Sequence, residues 1–181
     1  MKRIAKVLCL VLVSALLLAG CNTGIIGDAM DAAKDTVNPK TFTNAGISMT
    51  LTTKFIDFTE TETNDGEYEF LYASDVHGVL ALREDKVSLV DSFGEMDAKA
   101  YGDLIAELYE IDAKTEEKDG FFTYTYESAG EEEGKTLTFM CLFLETEQDF
   151  WNIQISCPTE QFAADQAQIW SWLTSAKVAE G

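Results

Sequence analysis

His77 is the only histidine in the 181-residue chain. Histidine-pair metal sites are therefore excluded, and any serine-nucleophile mechanism has one possible base. Ser74-Asp75-Val76-His77 gathers serine, aspartate and histidine in one tetrapeptide. A triad needs its imidazole hydrogen-bonded on both sides, which neighbours within one tight turn cannot easily supply. His77 reads as a turn residue. Gly130-Glu131-Glu132-Glu133-Gly134-Lys135-Thr136 has the outline of a phosphate-binding loop one residue short. Such a loop works by aiming backbone N–H groups and a helix N-terminus at phosphate. Here three glutamates would repel the anion, and strand-forming residues follow where a helix is required, so this is a strand connection. Glu60, Glu62, Asp65 and Glu67 form one acidic cluster, and Glu131, Glu132 and Glu133 another. Calcium takes about six to eight converging oxygens. Aligning Gly66 with the glycine of a calcium-binding EF-hand loop puts Thr61 first and Tyr72 last, which breaks that pattern. Solvated loops, without calcium or another metal, are the expectation.

Among the aromatic residues, Tyr124, Tyr126, Trp151, Trp170 and Trp172, together with Phe122, are the candidates for a partner or ligand surface between sheet and terminal helix. The competing reading assigns them to the core, because a sheet must be covered. Cys141 and Cys157 lie on what read as consecutive antiparallel strands. A connection centred on Glu147-Gln148 sets residue 141 opposite 154 or 155, so a disulfide to 157 would need a diagonal or a bulge. Both cysteines also sit in apolar runs, where free buried thiols are common.

Cys21 carries the most specific chemistry. Residues 1–6 hold Lys2, Arg3 and Lys6 and no acid, and residues 7–18 (VLCLVLVSALLL) are uncharged. These are the n- and h-regions of an export signal, too short for a spanning helix of ~20 apolar residues. Leu18-Ala19-Gly20-Cys21 then resembles the lipobox of bacterial lipoproteins. That resemblance implies cleavage before Cys21, which receives diacylglycerol and a fatty acid and needs no other cofactor. Each buried methylene contributes about 0.8 kcal/mol, so two or three acyl chains hold a protein at a membrane where one would not. The expected address is the cell membrane, lipid-anchored and outside the cytoplasm.

Without residues 1–20, three of the 13 basic residues are gone and all 32 acidic ones remain, a net charge near −22. Nucleic acid is then an unsuitable partner, since phosphate binding depends on Lys and Arg. An anionic bilayer surface would also repel the domain, leaving the lipid as the membrane contact. Residues 21–40 read as a lipidated tether, in which Ile26, Met30, Ala33 and Val37 recur at helical spacing before Asn38-Pro39. As coil, its length would span ~24 Å.

Residues 41–178 read as one α+β domain. The turn Asn44-Ala45-Gly46 opens a hairpin, and alternation of Ile47, Met49 and Leu51 with Ser48, Thr50 and Thr52 marks a half-buried strand. Strands follow at 68–73 and 78–83. Tyr101, Leu104, Ile105, Leu108 and Ile111 then form a helical stripe with Asp97 as N-cap. Residues 121–127, 135–145 and 151–157 are strands, the middle one apolar throughout and so central. In the last, Trp151, Ile153, Ile155 and Cys157 alternate with Asn152, Gln154 and Ser156, the pattern of a half-buried strand. A helix at 159–177 closes the chain. The fold class is α+β, a mostly antiparallel sheet of about six or seven strands with two main helices packed on it.

This element order, with Gly46-Ile47-Ser48-Met49 opening the hairpin and the run from Phe150-Trp151 through Pro158 into the last helix, resembles the PsbP-like α/β/α sandwich family over residues 41–178. The resemblance implies partner binding or an accessory role rather than catalysis, and carries over no functional residue. The expected function is a non-catalytic binding or accessory module of the cell envelope, with an envelope protein as partner. The alternative is a carrier for a small apolar ligand between sheet and terminal helix.

Overall fold

A computed structural model describes residues 38–61, 64, 66–130 and 134–179. The export signal, Cys21, the tether up to residue 37, Glu62, Asp65 and the three glutamates at 131–133 lie outside the described residues. The chain folds as β1 (Pro39–Asn44), β2 (Ile47–Thr52), β3 (Ile56–Asp57), β4 (Phe70–Ala73), β5 (Gly78–Asp85), α1 (Lys86–Phe93) and α2 (Ala98–Leu108). It continues through β6 (Glu116–Lys118), β7 (Phe121–Ala129), β8 (Thr136–Glu145), β9 (Asp149–Pro158), α3 (Thr159–Thr174) and β10 (Lys177–Val178). Seven strands form one antiparallel sheet in the order β3-β4-β5-β9-β8-β7-β6, and β1-β2-β10 form a second.

Local chemistry accounts for the boundaries. Ala45 and Gly46 both take positive φ, 44° and 89°, the primed two-residue turn whose twist matches a hairpin. Asp97 caps α2 by accepting from Ala100 N–H at 2.8 Å, as predicted, and Asp85 caps α1 through Ser88 N–H at 2.7 Å. Helix α1 has no counterpart among the elements expected from sequence: eight residues with no buried side chain carry too little periodicity to register. Nor do β3, β6 and β10, whose two or three residues are set by pairing alone.

The two faces of the large sheet are covered differently. One carries Met140, Leu142, Trp151, Ile153, Ile155 and Cys157, and meets Ile47, Met49 and Leu51 of β2 with Ile169, Trp172 and Leu173 of α3. Fully burying each such aliphatic chain contributes about 1.5–3 kcal/mol, enough to hold α3 and the small sheet in place. The other face presents Tyr124, Cys141, Phe143 and Phe150 to Tyr101, Ile105 and Ala106 of α2. Further along, Leu71 and Leu80 pack under Tyr68. Helix α2 lies so close that a Cβ on Gly102 would fall 2.5 Å from Thr115 Oγ1 and 2.8 Å from the Phe143 ring.

β9 corrects one expectation. Its alternation predicts a polar face in water, yet Asn152 and Gln154 are each 1% exposed and Ser156 is 4% exposed. The reason is position: β9 pairs with β5 on one side and β8 on the other, and both sheet faces are covered. Gln154 Oε1 accepts from Tyr126 Oη at 3.4 Å, at the long limit of a hydrogen bond. The Asn152 amide and Gln154 Nε2 have no protein partner among the described residues.

Cys141 stands opposite Gln154, in the register predicted from the Glu147-Gln148 turn, while Cys157 stands opposite Thr138. Sixteen positions apart on adjacent antiparallel strands, the two thiols project from opposite faces of the sheet. Both are free and buried. Burial pushes the Cys157 thiol up to about 11 and the Cys141 thiol well above its ordinary value, so neither is a ready nucleophile.

Candidate functional site

His77 sits in the turn between β4 and β5, and its surroundings come from three places in the chain. Ser74 builds the turn: its N–H donates to His77 O at 2.8 Å, and its Oγ accepts from His77 N–H at 3.0 Å. The hydroxyl is thus spent on the backbone, and Asp75 points to solvent. The imidazole instead reaches α3, where Nε2 lies 3.0 Å from Asp165 Oδ2. The Trp172 indole stands edge-on to the imidazole at 5.1 Å, and Phe55 meets that indole at 5.3 Å. These rings wall a surface recess of about 240 Å³, rimmed by Lys54, Asp75 and Gln168.

Desolvation lowers the His77 pKa; the charge and hydrogen bond of Asp165 act in the opposite direction but do not outweigh it. The folded chain therefore binds this proton less readily than the unfolded chain, whose histidine titrates near pH 6.5. Stability from this group is complete above that value and is lost as pH falls through the folded pKa. His77→Gln is expected to reduce the acid-side loss of unfolding free energy between about pH 7 and 5. A wild-type-minus-variant difference in urea unfolding that is flat across that range would refute this.

A second recess, of about 450 Å³, lies beside β7 on the other side of α3. It is lined by Trp170 and Gln166 of α3, by Asp112 and Lys114, and by Thr123, Thr125 and Met140 of the sheet. Trp170 is held by Nε1 donating to Asp119 Oδ2 at 3.1 Å and by Lys118, whose Nζ stands 4.2 Å above its ring.

The five aromatic candidates do not form one surface, although Tyr124 and Tyr126 meet edge-on at 5.9 Å on the α2 face. Trp172 belongs to the His77 recess and Trp170 to the one beside β7, while the Tyr124 ring packs on Phe143 at 5.0 Å on the α2 face. Trp151, 1% exposed, is core on the α3 side, with the Arg83 guanidinium 5.7 Å from its ring centre. Tyr126 faces the opposite side of the sheet, stacked on Phe139 at 4.9 Å. Two residues the sequence reading missed, Phe55 and Asp165, complete the His77 recess. Asp165 is 88 residues from His77, and no local signal connects them.

The His77–Asp165 pair has the orientation of a base and its supporting acid, but the nearest hydroxyl in sequence, Ser74, is committed to the turn. No group of three or more histidine, cysteine or carboxylate side chains among the described residues could hold a metal ion. No described helix is long and apolar enough to cross a membrane. The arrangement is suited to receiving a side chain or small ligand against aromatic walls.

No protein-family model matches the chain, and no curated protein matches it. Solved structures do. The Ran-binding protein Mog1p of Saccharomyces cerevisiae superposes with a TM-score of 0.54 at 14% identity, covering 79% of this chain and 96% of its own. Cyanobacterial PsbP from Synechocystis sp. PCC 6803 gives 0.51 at 11%, covering 81% and 96%. LpqN of Mycobacterium tuberculosis, described as involved in cell envelope biogenesis, gives 0.45 at 9%, covering 88% and 99%. The PsbP-like α+β fold expected from element order is shared with the first two.

Proposed function

We propose that the chain is a lipid-anchored, extracytoplasmic lipoprotein whose domain is a non-catalytic binding module for a protein of the cell envelope. The His77 recess carries this reading: aromatic walls and a pinned imidazole form a shaped receptor, while the adjacent serine is consumed by its turn. The lipobox at Leu18-Ala19-Gly20-Cys21 supports the address, and a fold that serves a Ran-binding protein in yeast is in keeping with the role. Partner binding is favoured over an apolar carrier because the space under α3 is filled. Ile169 and Leu173 are fully buried there and Trp172 nearly so.

The test places a photo-crosslinking residue at Lys54, on the recess rim, and separately at the exposed Asp91 on α1, in the full-length chain in cells. One adduct of reproducible mass is expected at the first position only, and is lost when Gln168→Arg covers the recess. Equal adducts at both positions, or none at Lys54, overturn the reading. In the same cells a palmitate analogue should label the chain but not its Cys21→Ser variant; retained labelling removes the anchor.

A further inference from the structure

The two edges of the large sheet are finished differently. At the β4 edge, β3 pairs with Tyr72 and Ala73, Phe58 N–H donates to Leu71 O at 2.8 Å, and Leu71 N–H donates to Thr59 Oγ1 at 2.9 Å. That edge is closed by its own chain. At the other edge, β6 covers only Phe121, Phe122 and Thr123 of β7. There the chain turns away, because Thr115 N–H is captured by Asp103 Oδ1 at 2.8 Å. Among the described residues no strand pairs with the outer side of 124–129, and Thr125, Glu127, Ser128 and Ala129 are exposed. Half the backbone groups of such a stretch face outward, a template for another strand. Beside it lies the 450 Å³ recess walled by Trp170 and Gln166.

We propose that the outer edge of β7, residues 124–129, is a docking site for an extended, lysine- or arginine-bearing segment of a partner protein, which adds to the sheet as an antiparallel or parallel strand. Main-chain hydrogen bonds would supply affinity, and alternate side chains would enter the recess. The occupant's charge follows from the surroundings. Exposed carboxylates stand along this rim at Asp112, Glu116 and Glu127, against Lys114 and a Lys118 already set over Trp170. A second copy is disfavoured by a net charge of −19 on each chain, since like charges across a strand pair destabilise it.

The proposal rests on the reading of the chain as a binding module but uses a different surface, so the Lys54 crosslink and the following experiment can fail separately. The full-length chain in detergent is titrated with an eight-residue peptide alternating lysine with valine. Controls are the same peptide with glutamate for lysine, and one N-methylated at alternate residues. Residue-resolved amide exchange is followed on β7. The lysine peptide should slow exchange of outward-facing amides within 124–129. Both control peptides should bind at least tenfold more weakly, and Glu127→Lys should weaken the lysine peptide several-fold. Slowing elsewhere, equal binding of either control, no binding, or slowing that depends on protein concentration without peptide would each overturn the proposal, the last by pointing to self-pairing.

Discussion

Gly102→Val is expected to lower the unfolding free energy of the domain by about 3 kcal/mol or more, the upper range for overpacking a core. A Cβ at this position already falls 2.5 Å from Thr115 Oγ1 and 2.8 Å from Phe143 Cδ2, and valine adds two methyls beyond it. Neither neighbour can yield easily. Phe143 is 1% exposed and lies edge-on to Tyr101 at 5.8 Å, while Thr115 is held through its N–H by Asp103. Gly102→Ala is the sharper comparison. In an unconstrained helix alanine gains nearly 1 kcal/mol over glycine, so the two effects oppose. The clash should win, leaving alanine destabilising by about 1–2 kcal/mol. Urea unfolding of both variants measures this, and a stabilised alanine variant would show that α2 is not tightly seated on β8.

Asn152→Val should act in the opposite direction and raise stability by about 1–2 kcal/mol. Leaving a buried polar group unpaired costs roughly 1–3 kcal/mol, and both ends of this amide lack a protein partner. Its neighbours in register are Leu82 on β5 and Phe143 on β8, an apolar frame suited to a β-branched side chain. The measurement is the urea midpoint at unchanged slope, since an altered slope would signal a change in compactness instead. A loss of stability of the same size would mean that the amide is satisfied in solution, and the account of β9 would fail. Gln154 is a less clean probe, because its Oε1 is within reach of Tyr126 Oη.

Much of the fold was legible because its signals are local. The hairpin turn at Ala45-Gly46 follows from backbone sterics, the Asp97 cap from one side chain and one N–H, and the register of β8 with β9 from the length of their connection. Helix α1 was not legible: its eight residues bury no side chain, so no apolar stripe had to be selected. The polar side of β9 was misread for a related reason. Alternation records which side chains differ, whereas burial depends on what lies over them, and α2 arrives from a distant part of the chain.

The two recesses divide in the same way. That His77 is the single histidine, that it lies in a turn beside Ser74, and that tryptophans border the face of the last helix could be read from the chain alone. Those are matters of residue type and period. Folding alone settled that the imidazole meets Asp165 and Trp172, that Trp151 disappears into the core, and that β6 covers only residues 121–123 of β7. Each depends on contacts between residues far apart in sequence, and the free energy that selects such contacts comes from burial of whole surfaces rather than from any neighbouring residue.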